Sequence, residues 1–246
     1  MERQLLNFFS GIILMMLYAC GGQPAQKEEA EAIESKAEAF VDLFNGKSLE
    51  GWKVIGVKEA RFYVEDGMLV AETTMGIPNT FLATEKEYSD FELEATVKVP
   101  QGINTGIQYR SAVYPIDTAT VYVTGKLDTV TRNWEAGRVH GYQFELDPSE
   151  RAWSGGFYEE GGRGWIEHLA DQDEKRAAFK NGDWNKLKVV VRGDSLQTWL
   201  NDVPIINTTD GGAESGFIAI QLHSINKEED AGKKILFKDI RLKELH

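Results

Sequence analysis

The sequence predicts an all-β protein, a sandwich or jelly roll of two antiparallel sheets, on three observations. Apolar and polar residues alternate with period two: in residues 91–99, Phe91, Leu93, Ala95, Val97 and Val99 are apolar while Glu92, Glu94, Thr96 and Lys98 are polar, the pattern of a strand with one buried face. Turn signals recur at roughly 8–12-residue spacing. Glycine contributes 24 of 246 residues, above the usual roughly 7%, and the body of the chain lacks long apolar helical runs.

The elements follow in order. Residues 61–64 and 68–71 flank Glu65-Asp66-Gly67 and read as a hairpin. Residues 184–191 (WNKLKVVV), 195–200 and 203–208 form a meander, turned at Arg192-Gly193-Asp194 and at Asn201-Asp202. Residues 216–224 and 235–242 are two further strands, and the one helix expected in the body is short, 171–179. No repeat of 20–50 residues is visible.

The N-terminus reads as an export signal. Residues 5–19 (LLNFFSGIILMMLYA) have the length of a signal-peptide apolar region and are short for a membrane span, which needs ~20 residues. The run ends Leu17-Tyr18-Ala19-Cys20-Gly21, which resembles the lipobox of bacterial lipoproteins and makes Cys20 the lipidation site. An uncleaved anchor and a plain secretory signal cut near Ala19 are the competing readings. Residues 21–39, rich in Glu, Ala and Lys with a single isoleucine, cannot bury enough apolar surface to fold alone. The expected organisation is a signal over 1–19, a disordered tether over 20–39 and one domain over 40–246, held at the cell envelope by lipid on the outer-membrane or periplasmic side.

Lys and Arg number 27 against 39 Asp and Glu, a formal charge of −12. That balance argues against nucleic acid, whose phosphates need a basic footprint, and against electrostatic adhesion to anionic lipid, leaving the lipid anchor as the membrane contact. One cysteine excludes a disulfide framework and multi-cysteine metal sites.

A set of motifs runs through the domain: Leu43-Phe44-Asn45-Gly46-Lys47-Ser48-Leu49-Glu50-Gly51-Trp52, Val64-Glu65-Asp66-Gly67-Met68-Leu69, Phe91-Glu92-Leu93, Asn104-Thr105-Gly106-Ile107-Gln108-Tyr109-Arg110-Ser111, Gly141-Tyr142-Gln143-Phe144-Glu145-Leu146-Asp147, Ser154-Gly155-Gly156-Phe157-Tyr158-Glu159, Trp184-Asn185, residues 216–224 (GFIAIQLHS) and Phe237-Lys238-Asp239-Ile240-Arg241. In this order they resemble the 3-keto-disaccharide hydrolase family, also described as a 3-keto-glucoside 1,2-lyase and 3-keto-2-hydroxy-glucal hydratase domain. The resemblance covers residues 41–245. It implies a concanavalin-like jelly-roll sandwich and action on 3-keto-glycosides. The chain departs from the pattern at 112–140, a longer link than the family implies, where residues 121–123 and 127–130 around Thr124-Gly125-Lys126 read as an inserted hairpin. This insert, a lid or an edge decoration, carries Tyr114, Tyr122, Trp134 and Arg138.

Alternation nominates the chemistry independently of the family. Tyr142, Phe144 and Leu146 oppose Gln143, Glu145 and Asp147; Ile107 and Tyr109 oppose Gln108 and Arg110; Ile218, Ile220 and Leu222 oppose Ala219, Gln221 and His223. Adjacent in one sheet, these strands would present Gln, Arg, two carboxylates and a His on the outer, concave face, equipment suited to sugar hydroxyls and a keto oxygen. His223, Glu145 and Asp147 are the acid or base candidates and Arg110 the oxyanion partner. Gln108, Gln143 and Gln221 are substrate-binding candidates, joined by Tyr158 and Glu159 at a Gly-rich rim and by Trp134 and Trp165 as stacking platforms. A divalent cation, Mg²⁺, Mn²⁺ or Ca²⁺, held by Glu145, Asp147 and His223 would replace or assist Arg110. The rival readings are a non-catalytic carbohydrate-binding module and an adhesion domain of the envelope.

Cys20→Ser is expected to release the protein from membranes and abolish lipid labelling, checked by fractionation and radiolabelled palmitate; a variant that still sediments with membranes refutes the anchor.

Overall fold

A computed structural model describes residues 39–123 and 129–246. The signal region, the tether, Cys20 and the insert tip at Thr124-Gly125-Lys126 lie outside the described residues. Among those described, the chain builds two large antiparallel sheets and one small hairpin. The eight-stranded sheet runs β15 (Val203–Thr209), β14 (Ser195–Leu200), β13 (Trp184–Arg192), β6 (Phe91–Lys98), β17 (Lys234–Glu244), β4 (Met68–Glu72) and β3 (Arg61–Glu65), with β1 (Val41–Asp42) also paired to β17. The seven-stranded sheet runs β12 (Gly164–Glu167), β11 (Phe157–Glu160), β10 (Val139–Leu146), β7 (Thr105–Val113), β16 (Gly216–Leu222), β5 (Thr80–Tyr88) and β2 (Trp52–Ile55). This is the expected all-β jelly-roll sandwich.

Period-two alternation puts the core between the sheets. Phe91, Leu93, Val97, Val189, Val191 and Phe237 of the first sheet and Ile107, Tyr109, Tyr142, Phe144, Leu146, Ile218 and Ile220 of the second are buried in one apolar cluster. β13 with β14 and β3 with β4 pair in continuous register, and β14 pairs with β15 across one shift between Thr198 and Trp199. The expected helix over 171–179 is cut to a single turn, α1 (Asp173–Arg176). Its intended last turn is diverted because Ala178 and Phe179 pack against the core while Asn185 holds the backbone of Lys180 in both directions.

The insert forms β8 (Thr118–Val123) and β9 (Thr129–Trp134), an antiparallel hairpin outside both large sheets. Val113 and Val139, at its two ends, join Phe81, Ala83, Phe217 and Ala219 in a second, smaller apolar cluster. The insert is thereby seated on the apolar half of the seven-stranded sheet, and its base is part of the packing.

One irregularity decides where a site candidate points. Between His140↔Ala112 and Tyr142↔Tyr109 the register of β10 and β7 shifts, so Arg110 and Ser111 together face Gly141. This is a β-bulge. Arg110 takes φ +45°, a left-handed backbone that non-glycine residues rarely adopt. Gly141 has φ +126°, and a Cβ there would lie 2.5 Å from the Ser111 hydroxyl, so only glycine fits opposite the bulge. The extra residue breaks the alternation after Gln108. Arg110 is turned away from the expected pocket. It donates to the Ser89 carbonyl (2.7 Å), to the carbonyls of Gly193 and Ala213 (2.8 and 3.0 Å) and to Asp90 (2.7 Å). Gly193 lies in the turn between β13 and β14 of the opposite sheet, so this buried guanidinium ties the ends of the two sheets together.

Arg110→Met therefore belongs to stability. It leaves Asp90 without its cation and three carbonyls without a donor, and is expected to cost about 3 kcal/mol in urea unfolding while leaving ligand binding by the folded fraction intact. A variant as stable as the wild type refutes this role.

Candidate active site

The outer face of the seven-stranded sheet carries a cavity of about 240 Å³ lined by Asn79, Asn104, Arg138, Gln143, Glu145, Arg151, Tyr158, Glu160, Trp165, Gln221 and His223. A larger open groove of about 670 Å³ crosses the other sheet, lined by Glu94, Lys188, Trp199 and Arg241 among others. Its central cations are spent on surface ion pairs: Arg241 holds Glu94 and Lys188 holds Glu92. The smaller cavity contains buried, hydrogen-bonded acid and amide groups, and it is the candidate site.

Cross-strand register explains how distant residues meet. Tyr158 pairs with Gln143, Gln143 with Gln108, and Gln108 with Ala219, a row across four strands. Glu145 lies opposite Gly106 in the next outward row. Gly106 is there for space: a Cβ would fall 2.6 Å from Cδ of Gln143, so the missing side chain lets Gln143 lie flat across β7. Ser111 Oγ donates to Gln108 Oε1 (2.9 Å), Gln108 Nε2 to Gln143 Oε1, and Gln143 Nε2 to Glu145 Oε2. Asn104 Nδ2 donates to the other carboxyl oxygen of Glu145. A relay of amides thus aims its last donor at one buried carboxyl group. Burial pushes that carboxyl up from 4.5 to about 7, against the pull of the Asn104 and Gln143 donors.

Six of the residues nominated by alternation and composition line the cavity: Gln143, Glu145, Gln221, His223, Tyr158 and Trp165. His223 Nδ1 lies 2.7 Å from the Ser224 carbonyl; a proton on Nδ1 satisfies that contact and leaves Nε2 as the basic nitrogen.

The other nominations require correction. Arg110 is diverted by the bulge. Asp147 is buried but does not line the cavity; it accepts from Arg151 Nε (2.7 Å) and from the Ser149 amide. Burial raises its pKa, but these donors outweigh that and hold it below the ordinary aspartate value. Asp147 therefore positions Arg151, which lines the cavity from above Trp153 and Trp165 (4.7 and 5.2 Å to the ring centres). Gln108 lies beneath Gln143 as a relay member. Glu159 has the opposite strand parity to Tyr158, and it pairs with Arg163 (2.7 Å), which also holds Asp210. Trp134 belongs to the hairpin, where its indole donates to Thr120 Oγ1 (3.0 Å) beneath Arg138.

The expected metal ligands do not assemble. Among the described residues no three His, Cys, Asp or Glu side chains converge on one ion position. Asp147 is taken by Arg151 and does not line the cavity with Glu145 and His223, so the nominated three do not form one divalent-cation site.

Asn79, Asn104, Arg138, Arg151 and Glu160 complete the lining, and alternation nominated none of them. Asn79 and Arg151 lie in connecting segments, where strand parity has no meaning. Glu160 was legible in principle, because Tyr158 and Glu160 are two apart on β11 and share a face; its Gly-rich surroundings disguised the strand. Burial pushes the Glu160 carboxyl up against the pull of Arg138 and His223.

The sandwich belongs among galectin-like jelly rolls. A protein of unknown function with a galectin-like fold from Bacillus subtilis superposes with a TM-score of 0.57 at 11% identity, covering 84% of this chain and 98% of that one. A candidate glycosyl hydrolase from Parabacteroides distasonis gives 0.54 at 21% identity (87% and 97% covered), and a carbohydrate-binding module, CBM66, from Bacillus subtilis gives 0.52 at 14% (78% and 95%). At these identities the likeness is one of fold. Residues 39–243 match the 3-keto-alpha-glucoside-1,2-lyase-like domain, and the chain belongs to that family. No curated protein matches it.

The raised Glu145 carboxyl predicts a pH dependence of stability. Between pH 4.5 and about 7 the unfolded chain gives up a proton that the folded protein keeps, so this group's contribution is greatest below pH 4.5 and is lost as pH rises through 7. Comparing urea unfolding at pH 4.5 and 7.5, the wild type should lose up to about 3 kcal/mol more than Glu145→Gln. Equal pH dependence in the two proteins refutes the shift.

Proposed function

We propose that this chain is an exported enzyme that cleaves the glycosidic bond of 3-keto-glucosides and 3-keto-disaccharides by elimination followed by hydration. The observation that carries the reading is Glu145, a buried carboxyl with a pKa of about 7, in the same cavity as a histidine whose Nε2 is basic. Two titratable groups in contrasting environments are what paired acid and base chemistry needs.

In a 3-keto-glycoside the carbonyl acidifies the proton on C2. His223 Nε2 takes that proton, and the electron pair forms an enediolate whose negative charge rests on the C3 oxygen. Arg151 and the amides of Asn79 and Asn104, all lining the cavity, are the donors available to this oxyanion. Collapse of the enediolate forms the C1–C2 double bond and breaks the bond from C1 to the leaving oxygen, which receives the Glu145 proton. The groups then exchange roles: the Glu145 carboxylate takes a proton from water as its oxygen adds to C1, and the histidinium returns a proton to C2. The net change is hydrolysis, with both residues restored. A pure binding module would need the Tyr158 and Trp165 rings but not the acid and base beside them. Export and a lipid anchor at Cys20 would place this chemistry at the cell envelope.

Turnover of 3-keto-trehalose and of p-nitrophenyl 3-keto-glucoside tests the proposal. His223→Ala should lower kcat by ~10²–10⁴-fold on both. Glu145→Gln should do so on the trehalose derivative and much less on the nitrophenyl glycoside, whose leaving oxygen needs no proton. On 3-keto-trehalose, kcat/KM should fall above pH 7 as Glu145 ionises. Wild-type protein that releases nothing from either compound, or variants as active as the wild type, would overturn the assignment.

A further inference from the structure

The insert delivers one residue into the cavity. Arg138, in the last turn before β10, donates through Nη2 to Glu160 Oε1. Across the cavity floor, Gln221 of β16 donates through Nε2 to Glu160 Oε2 (3.2 Å). One carboxylate, itself buried, thus anchors an arginine from the insert and a glutamine from a central strand.

What these two side chains have left over is informative. Arg138 Nε and Gln221 Oε1 are buried and have no hydrogen-bond partner, although both side chains line the cavity. Buried polar atoms without partners are uncommon in folded proteins and unfavourable. Each unpaired atom is two covalent bonds from the atom that Glu160 holds, so each lies close to the carboxylate. One is a donor and the other an acceptor. A hydroxyl group can accept from the first or donate to the second; a carboxylate cannot donate to Gln221, and an ammonium cannot accept from Arg138.

The position is held firmly. The Tyr114 ring stacks on His140 at 4.0 Å between ring centres, and its hydroxyl donates to the Gly161 carbonyl (3.1 Å). Arg132 donates to the Gly162 carbonyl (3.2 Å), and Arg138 lies over Trp134 at 5.6 Å from the ring centre. These contacts fasten the insert to the turn that follows Glu160.

Glu160 faces Gly141, four residues before Glu145 on β10, while Gln221 follows Ile220, the partner of Ile107, and so falls in the cross-strand row of Gly106 and Glu145. We propose that Arg138 and Gln221, clamped by Glu160, form a subsite that reads a hydroxyl on the sugar-ring edge not used by the chemistry at C1, C2 and C3, at C4 or on the hydroxymethyl carbon. The insert is then a specificity element rather than a decoration. This assignment of ring edge rests on the reaction centre proposed for Glu145 and His223.

The test compares p-nitrophenyl 3-keto-glucoside with its C4 epimer and with the 3-keto-xyloside, which lacks the hydroxymethyl group. Wild-type protein should prefer the glucoside over at least one analogue by on the order of tenfold to a hundredfold in kcat/KM. In Arg138→Leu and Gln221→Leu the preference should be lost, the glucoside dropping, chiefly through KM, by more than that analogue does. The double variant should lose no more than either single one. Equal losses on all three substrates, or unaltered preference, would overturn the subsite. If the wild-type protein turns over none of them, the reaction proposal fails separately, and calorimetric titration with methyl glucoside, methyl galactoside and methyl xyloside decides the subsite. Selective loss of glucoside affinity in both variants sustains it; no selectivity, or no binding by the wild type, refutes it.

Discussion

The bond from Gln143 to Glu145 is the constraint around which the site is arranged. A carboxyl group on the outer face of an antiparallel sheet ordinarily meets water, but here it is 5% exposed, and burial is costly unless every oxygen finds a donor. Gln143 reaches it only by lying flat, which requires Gly106 beneath and Gln108 behind to hold the amide oriented. Asn104 supplies the second donor from the start of β7. These donors favour the ionised form, desolvation favours the neutral one, and desolvation wins, which brings the titration close to neutrality.

Stability and the candidate site draw on different parts of the same strands. Arg110 and Gln108 are two apart on β7, yet one binds the sandwich ends and the other supports the pocket floor, because the bulge opposite Gly141 separates them. Asp147 and Glu145, two apart on β10, divide in a similar way: Asp147 holds Arg151, and Glu145 faces the cavity. The site is built from β10, β11 and the C-terminal end of β16. Phe81 and Ala83 of β5 and Phe217 and Ala219 of β16 pack with Val139 at the base of the insert.

A jelly-roll sandwich of this kind hosts hydrolases and binding modules alike, so the fold by itself does not decide between catalysis and binding. The features on which the proposed catalysis rests are local. A titratable acid with a fixed donor set, a histidine with one nitrogen committed to a carbonyl, and an arginine spread over two indoles form an acid–base constellation in a space of about 240 Å³. The groove on the opposite sheet is larger, but its charges are matched to one another at the surface.

Much of this was legible in the chain itself. Alternation in 91–99, 184–191 and 216–224 determined the strands and their buried faces, since period-two burial admits one answer per register. The same alternation placed Gln143, Glu145, Gln221 and His223 on one face, and the ordered motifs placed the chain in its family. What alternation cannot encode is an interruption of itself. The bulge at Arg110 is a single extra residue whose φ of +45° is stabilised by four acceptors from turns distant in sequence, and those turns meet only when the sheets pack. The pairing of Asp147 with Arg151, the departure of Glu159 toward Arg163, and the arrival of Arg138 beside Glu160 were likewise decided in three dimensions. Each depends on which segments the sandwich brings within hydrogen-bond reach, and residue order alone does not set that distance.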